Sequence, residues 1–265
     1  MRTLVLATIW AAWMTGSARA DEIHVLAAGS LRQVFGELGE RYNKATGTSI
    51  IADFGPSGAL RERIEKGERA DLFASADIGH PLNLLADGRA IRVDMFARNA
   101  LCAFAVPKVG LTSANFVDRL LDPAVKLGTS TPKSDPSGDY TWLMFRRMDA
   151  ARPGAYATLD QKAQKIVGGP GPVTGDPVAD GLKTGTIDVM IGYCSGRQRM
   201  AKTLPDVMAV EVPKEIAVGP EYGLAILKDA NPRAEDFALF MLSPEGQQVF
   251  AQFGFAPIGL PTPDK

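Results

Sequence analysis

Three strand-like runs, each followed within a few residues by a helix-like run, occupy residues 23–89 and restrict the chain to an α/β architecture. "IHVLAA" precedes the amphipathic "LRQVFGELGERYNKATG", which closes on Gly47. "TSIIADFG" precedes "GALRERIEKG", which closes on Gly67, and "ADLFASA" precedes "PLNLLADGR". Apolar residues recur with the helical period in the second member of each pair and run nearly unbroken in the first. A βαβαβ order predicts a parallel sheet with right-handed crossovers, because a strand returning in the same direction has to climb back over one face of the sheet.

The remainder continues the alternation. "ALCAFAVPK", "VKLGTST", "TIDVMIGYCSG", "VMAVEVP" and "YGLAILKD" read as strands. "TSANFVDRLLDP", "DYTWLMFRRMDAARPG", part of "GAYATLDQKAQKIVGG" and "DPVADGLKTG" read as helices, and the helical pattern after Arg233 breaks at Pro244. No internal repeat or low-complexity linker separates domains, so two lobes joined by crossing strands are expected. Residues 21–102 and 196–265 would form the first lobe and 103–195 the second, with crossings near Leu101–Val106 and Tyr193–Gly196. The chain has two cysteines, Cys102 and Cys194. They are either bridged, as an oxidising compartment permits, or two separate buried thiols. Crossings lying side by side in a hinge would make them neighbours and favour the bridge.

The first twenty residues read as something other than fold. Arg2, an apolar stretch from Leu4 to Met14 and Ala18-Arg19-Ala20 make a secretory signal peptide with an A-x-A cleavage site before Asp21. The stretch is too short to span a bilayer comfortably. The expected location is therefore a bacterial periplasm. With Lys+Arg 29 against Asp+Glu 30, a net charge of -1, no basic excess points to nucleic acid. A small anion would have to be held by local dipoles.

Four corners offer such dipoles. Ser30 in "AAGSLRQVF" and Ser57 in "DFGPSGALRERI" stand where a strand turns into a helix. Ser137 in "SDPSGDYTWLMF" precedes a helix, and Asp176-Pro177-Val178 opens another. In open α/β sheets helix N-termini gather at the carboxyl ends of the strands, and each brings free N–H donors and about half a positive charge. Tyr193, ending its strand, adds a phenol. Taken singly, each serine is explained as a helix cap.

"AAGSL", "FGPSGALRERIEKGERADLFASAD", "DPSGDYTW" and a strand ending in "GY" resemble the periplasmic molybdate-binding proteins of ABC importers. The likeness runs in order along nearly the whole mature chain and is densest from Ser57 to Asp77. It implies a two-lobed type II periplasmic-binding fold, with two mixed or parallel sheets flanked by helices, holding a tetrahedral oxyanion between the lobes through neutral hydrogen bonds. By that likeness Ser30 and Ser57 are hydroxyl ligands, Ser137 stands where the family often has an alanine donating its backbone N–H, and Tyr193 is the ligand tyrosine. A backbone donor belongs near Val178, since Pro177 has no N–H. The ligand would be molybdate, with tungstate binding too, and no cofactor or directly bound metal is expected. The partner would be a membrane permease, and the protein a monomer. "DPSGDYTW" departs from the commonest family pattern, and it brings Asp135 and Asp139 close to a dianion site.

Competing readings have less behind them. Ser130 to Lys133 fits S-x-x-K and Lys183 to Gly185 fits K-T-G, the marks of serine β-lactamases, but prolines crowd the first and the second ends a helix. His24 and His80 are the only histidines, too few for a metal cluster. Asp71 and Asp77 read as structural, one at a strand start and one at a helix start. Arg61, Glu62, Arg63 and Glu65 read as a solvated helix face. Sulfate, phosphate or ferric iron on the same fold remain the alternative ligands.

Overall fold

The computed structural model describes residues 22–169 and 175–259. The expected signal peptide, residues 1–20, lies outside them. The first sheet is built from β1 (Glu22–Ala28), β2 (Ser49–Gly55), β3 (Leu72–Ser75), β4 (Ala90–Arg98) and β10 (Glu221–Leu227), in the order β2-β1-β3-β10-β4. The second contains β5 (Leu101–Ala105), β6 (Leu127–Ser130), β7 (Gln164–Val167), β8 (Val189–Tyr193) and β9 (Met208–Glu211), in the order β7-β6-β8-β5-β9. Both sheets follow one plan. Three neighbouring strands run parallel, and one antiparallel strand beside them carries a further edge strand. That is the two-lobed, mixed-sheet arrangement expected from the sequence.

The helices that follow these strands place the corners. α1 (Arg32–Thr46) buries Val34, Phe35, Leu38 and Tyr42 on one face, and Gly47 ends it at φ 75°, a conformation glycine takes without strain. α2 (Ser57–Glu65) and α3 (Gly79–Ala86) follow β2 and β3, and α4 (Phe116–Leu121) precedes β6. α5 (Pro136–Ala151) starts from an Asp135 cap with Pro136 in its first turn. After α6 (Ala155–Lys162) and β7, α7 (Pro177–Thr184) starts in the same way from Asp176. Between Leu242 and Pro244, Ser243 ends α9 (Arg233–Leu242) and caps α10 (Pro244–Gln252), the break foreseen at Pro244. The strands β4 and β7 were not expected.

The lobe boundaries differ from the sequence expectation. α8 (Arg197–Thr203) packs Met200 into a core cluster with Phe104, Leu182 and Met190, and β9 pairs with β5. Val212, Ile216 and Val218 also pack in the second core. The chain therefore returns to the first lobe just before β10, not at Tyr193–Gly196. The two crossings do run side by side, with the Asn99 N–H donating to the Pro220 carbonyl at 3.0 Å. Cys102 and Cys194 form a disulfide, Cα to Cα 5.0 Å. Their proximity has another cause than the one expected: β5 and β8 pair within the second sheet, Leu101 opposite Tyr193.

Candidate functional site

Each of the three serines stands at a helix start, yet none spends its hydroxyl capping that helix. Ser30 lies in a single 3-10 turn, Gly29–Leu31, between β1 and α1, and α1 has no side-chain cap. Its Oγ is 2.9 Å from the Tyr222 hydroxyl. Ser57 is the first residue of α2, and Pro56 occupies the cap position. The Ser57 Oγ accepts the N–H of Ala76 at 3.1 Å, beyond the end of β3. Ser137 is the second residue of α5, and the capping is done by Asp135, whose Oδ1 accepts the Ser137 N–H at 2.9 Å.

The two lobes meet at these helix starts. The Gly58 N–H donates to the Ser134 carbonyl at 2.9 Å, joining the start of α2 to the turn before α5. A Cβ on Gly58 would stand 2.2 Å from the Lys133 carbonyl oxygen, so only glycine fits here. Tyr193 at the end of β8 packs against the cores of both lobes. Its ring lies 5.6 Å from that of Tyr222 at 63°. The structure thus gathers Ser30, Ser57, Ser137 and Tyr193 around the seam between lobes. Val178 is the member it does not tie to them. Its side chain packs with the cluster around Phe104 and Met190, while the Asp176 carboxylate takes the Ala179 N–H at 3.2 Å and pairs with Arg199.

Tyr222 belongs to the site and sequence reasoning missed it. It is fully buried, accepts from the Asn99 side-chain amide at 3.2 Å and shares a hydrogen bond with Ser30. Burial drives its phenol well above the usual tyrosine range, so it stays a neutral donor. The Tyr193 phenol is raised in the same way, by burial first. In the sequence Tyr222 stands inside the strand-like "YGLAILKD" and carries no motif; only its place beside Ser30 marks it.

Two buried hydroxyls in this group, Ser137 Oγ and Tyr193 OH, have no hydrogen-bond partner. Other buried polar atoms among the described residues also have none, but each belongs to a side chain lying within 4 Å of an oppositely charged group or, for His80, of a carboxylate. Arg61 pairs with Glu65, His80 with Asp77, Asp94 with Arg92, Asp188 with Lys108 and Arg197 with Glu211. An unsatisfied buried hydroxyl costs about 1–3 kcal/mol. Two of them at one seam make a place that an acceptor-rich guest would complete.

Charge near the seam is negative. Burial pushes the Asp135 carboxyl up to about 6, against the opposing hydrogen bonds from Ser137 and Ser130. Asp139, raised by burial, accepts the Lys133 N–H at 2.9 Å and faces His80 and Asp77 of the first lobe. Among the described residues no lysine or arginine side chain contributes a hydrogen bond to the site hydroxyls, and no group of three or more His, Cys, Asp or Glu is placed to hold a metal ion. The donors are therefore of the kind that hold an anion by its oxygens.

The remaining candidates are structural. Asp71 accepts the N–H of His24 and of Asn231, both at 2.7 Å, and Asp77 accepts the His80 N–H at 2.8 Å. Ser130 closes β6 and Lys133 lies in a turn at φ 69°, while Lys183 and Gly185 end α7. Neither motif has the placement acyl-transfer chemistry uses.

The chain matches the model of the bacterial extracellular solute-binding protein family over residues 23–256. It is 36% identical over 241 residues to the uncharacterized protein PM1146 of Pasteurella multocida, covering 89% of this chain and 98% of that one. It is 26% identical over 257 residues to the molybdate-binding protein ModA of Escherichia coli, covering 91% and 92%. Among solved structures, the sulfate-binding protein SubI of Mycobacterium tuberculosis superposes with a TM-score of 0.75 at 19% identity, over 90% of this chain and 87% of that one. Likeness at that identity concerns the fold.

Proposed function

Because the chain belongs to the family of bacterial extracellular solute-binding proteins, we propose that it captures a tetrahedral oxyanion between its lobes and delivers it to the membrane permease of an ABC transporter. The ligand is molybdate, with tungstate as a near-isosteric second. The observation that carries this reading is the pair of buried, unpartnered hydroxyls, Ser137 Oγ and Tyr193 OH, beside the Ser30–Tyr222 pair at the lobe seam. Relatives named for molybdate binding support the choice of anion. The protein acts as a monomer in the periplasm, exported by the signal peptide that residues 1–20 spell.

In this mechanism the anion docks first on Ser30 and Ser57 of the first lobe. Closure about the Asn99–Pro220 crossing then brings Ser137 and Tyr193 onto it. Neutral donors desolvate the dianion without locking it into ion pairs, so that reopening at the permease releases it. A rigid ring of donors sized for molybdate leaves the smaller sulfate under-bonded. Sulfate, a tetrahedral dianion of the same shape and charge, is the second reading.

Thermal unfolding of ligand-stripped protein with molybdate, tungstate, sulfate, phosphate and ferric ion in turn tests the assignment. A ligand at a hundredfold excess over its Kd should add about 2.7 kcal/mol of stability. Shifts confined to molybdate and tungstate are expected. A shift with sulfate or iron alone would replace the ligand, and none with any anion would overturn the oxyanion reading.

A further inference from the structure

Oxyanion capture as described gives no part to one titratable group at the seam, the Asp135 carboxyl, and a ligand-linked role for that group rests on the oxyanion reading. Asp135 caps α5 and already holds the Ser137 N–H, the backbone donor that an anion would use. The groups around it supply no cation. Asp139 and Tyr140 share its helix, with Asp139 adding negative charge; Ser130 donates from the end of β6; the turn carrying Gly168 packs against it without a titratable group. Tyr193 from β8 and Tyr222 from β10 both lie within electrostatic reach of Asp135, and Asp77 of the first lobe adds further negative charge at Tyr193. Lys133, the nearest lysine in the chain, acts on Asp139. A dianion entering this pocket beside an ionised Asp135 would make three negative charges facing neutral donors only, a state that burial penalises heavily.

We propose that Asp135 is a specificity-determining residue of the cleft, taking up one proton with each dianion so that its carboxyl donates a hydrogen bond to the ligand and frees the Ser137 N–H for it. The balance is simple: carboxylate, one proton from solvent and the oxyanion become a carboxylic acid hydrogen-bonded to an anion oxygen. No covalent bond to the anion forms or breaks. The raised pKa of Asp135 lowers the cost of taking up this proton near neutrality. An anion that arrives already protonated, such as hydrogen phosphate, can supply the shared proton itself, so the same carboxyl distinguishes the two classes by their proton balance.

The test is calorimetric titration of the protein with sodium molybdate in two buffers of different ionisation enthalpy, at about pH 8, where Asp135 is ionised in the empty cleft. We expect uptake of about one proton per molybdate, and an affinity falling roughly tenfold per pH unit above that carboxyl's titration. Asp135→Asn should take up none and bind with flat pH dependence. Asp135→Ser, another capping residue, serves if the amide variant folds poorly, and Asp139→Asn should leave the uptake near one. Molybdate binding to wild type without proton uptake overturns this inference and leaves the oxyanion reading standing. A pH slope that persists in the Asp135 variants also overturns it. No binding of molybdate, tungstate or sulfate to wild type or variants overturns both.

Discussion

The Gly58 N–H and the Ser134 carbonyl, 2.9 Å apart, join the two lobes directly. A Cβ at position 58 would meet backbone oxygen at 2.2 Å, and backbone cannot swing aside as a side chain can. Gly58→Ala is therefore expected to oppose closure while leaving each lobe intact. Overpacking of this kind costs about 1–3 kcal/mol, or about 5- to 150-fold in affinity. Small-angle scattering should show the variant staying open with saturating molybdate. An unchanged affinity would show that the seam is not closed in the bound state.

Tyr193→Phe removes a buried hydroxyl that has no hydrogen-bond partner within the protein. Unliganded stability should hold or rise, by up to about 1 kcal/mol, while molybdate affinity falls about tenfold. Unfolding with and without molybdate reads both effects. A large loss of stability without ligand would assign the phenol a structural role instead.

Ser30→Ala and Ser57→Ala should differ. Ser57 is buried and satisfies the Ala76 N–H, so its loss should cost about 1–3 kcal/mol of stability as well as affinity. Ser30 is only half-buried, and its partner Tyr222 keeps the Asn99 amide, so its loss should act mainly on affinity. Unchanged affinity in both variants would sink the site assignment.

Asp135 also makes stability depend on pH. Its carboxyl titrates at about 6 in the folded protein against 3.8 as the reference. The folded state then binds a proton more tightly than the unfolded one, so this group's contribution falls as pH rises from about 4 to 6. Its penalty is complete above that window and relieved below it. Asp135→Asn, which keeps a capping side chain, should be more stable than wild type at about pH 8 and should lose that advantage near pH 4. Denaturant titrations across the range measure the difference, and parallel profiles would rule this out.

Reduction should act first on the second lobe, because the Cys102–Cys194 bridge lies wholly within it and closes a separation of 92 residues. The chain-entropy estimate for a loop of this size is about 4–5 kcal/mol. Thermal unfolding with and without reductant should show the loss, and thiol titration of the unfolded, unreduced protein should find no free thiol.

Much of the fold was legible because neighbouring residues determine it. The β1–β3 segment announces parallel strands through helices ending at Gly47 and Gly67, and Asp176-Pro177 announces a helix start through cap chemistry alone. The strand β4 escaped notice because "AIRVDMFAR" interleaves charges with its apolar residues. It is a strand because β10, more than a hundred residues later, pairs along its whole length. β7 is an edge strand of four residues, too short to show a period, and β9, legible in "VMAVEVP", pairs with β5 of the second lobe rather than joining the first, which moves the second crossing.

The sequence by itself determined the α/β class, the two-lobe plan and the serine corners, since each rests on contacts within one strand–turn–helix unit. It left open whether those serines cap helices or face a ligand, because the same residue type at the same place serves both. Only the tertiary structure decided the first of these, since none of the three caps its helix. Tyr222, 192 residues from Ser30, takes up its hydroxyl. Asp135 rather than Ser137 caps α5, and closure of one lobe on the other leaves the Ser137 and Tyr193 hydroxyls buried and unpartnered. A hydroxyl's role is set by which partner reaches it, and here the partners are brought by distant segments of the chain.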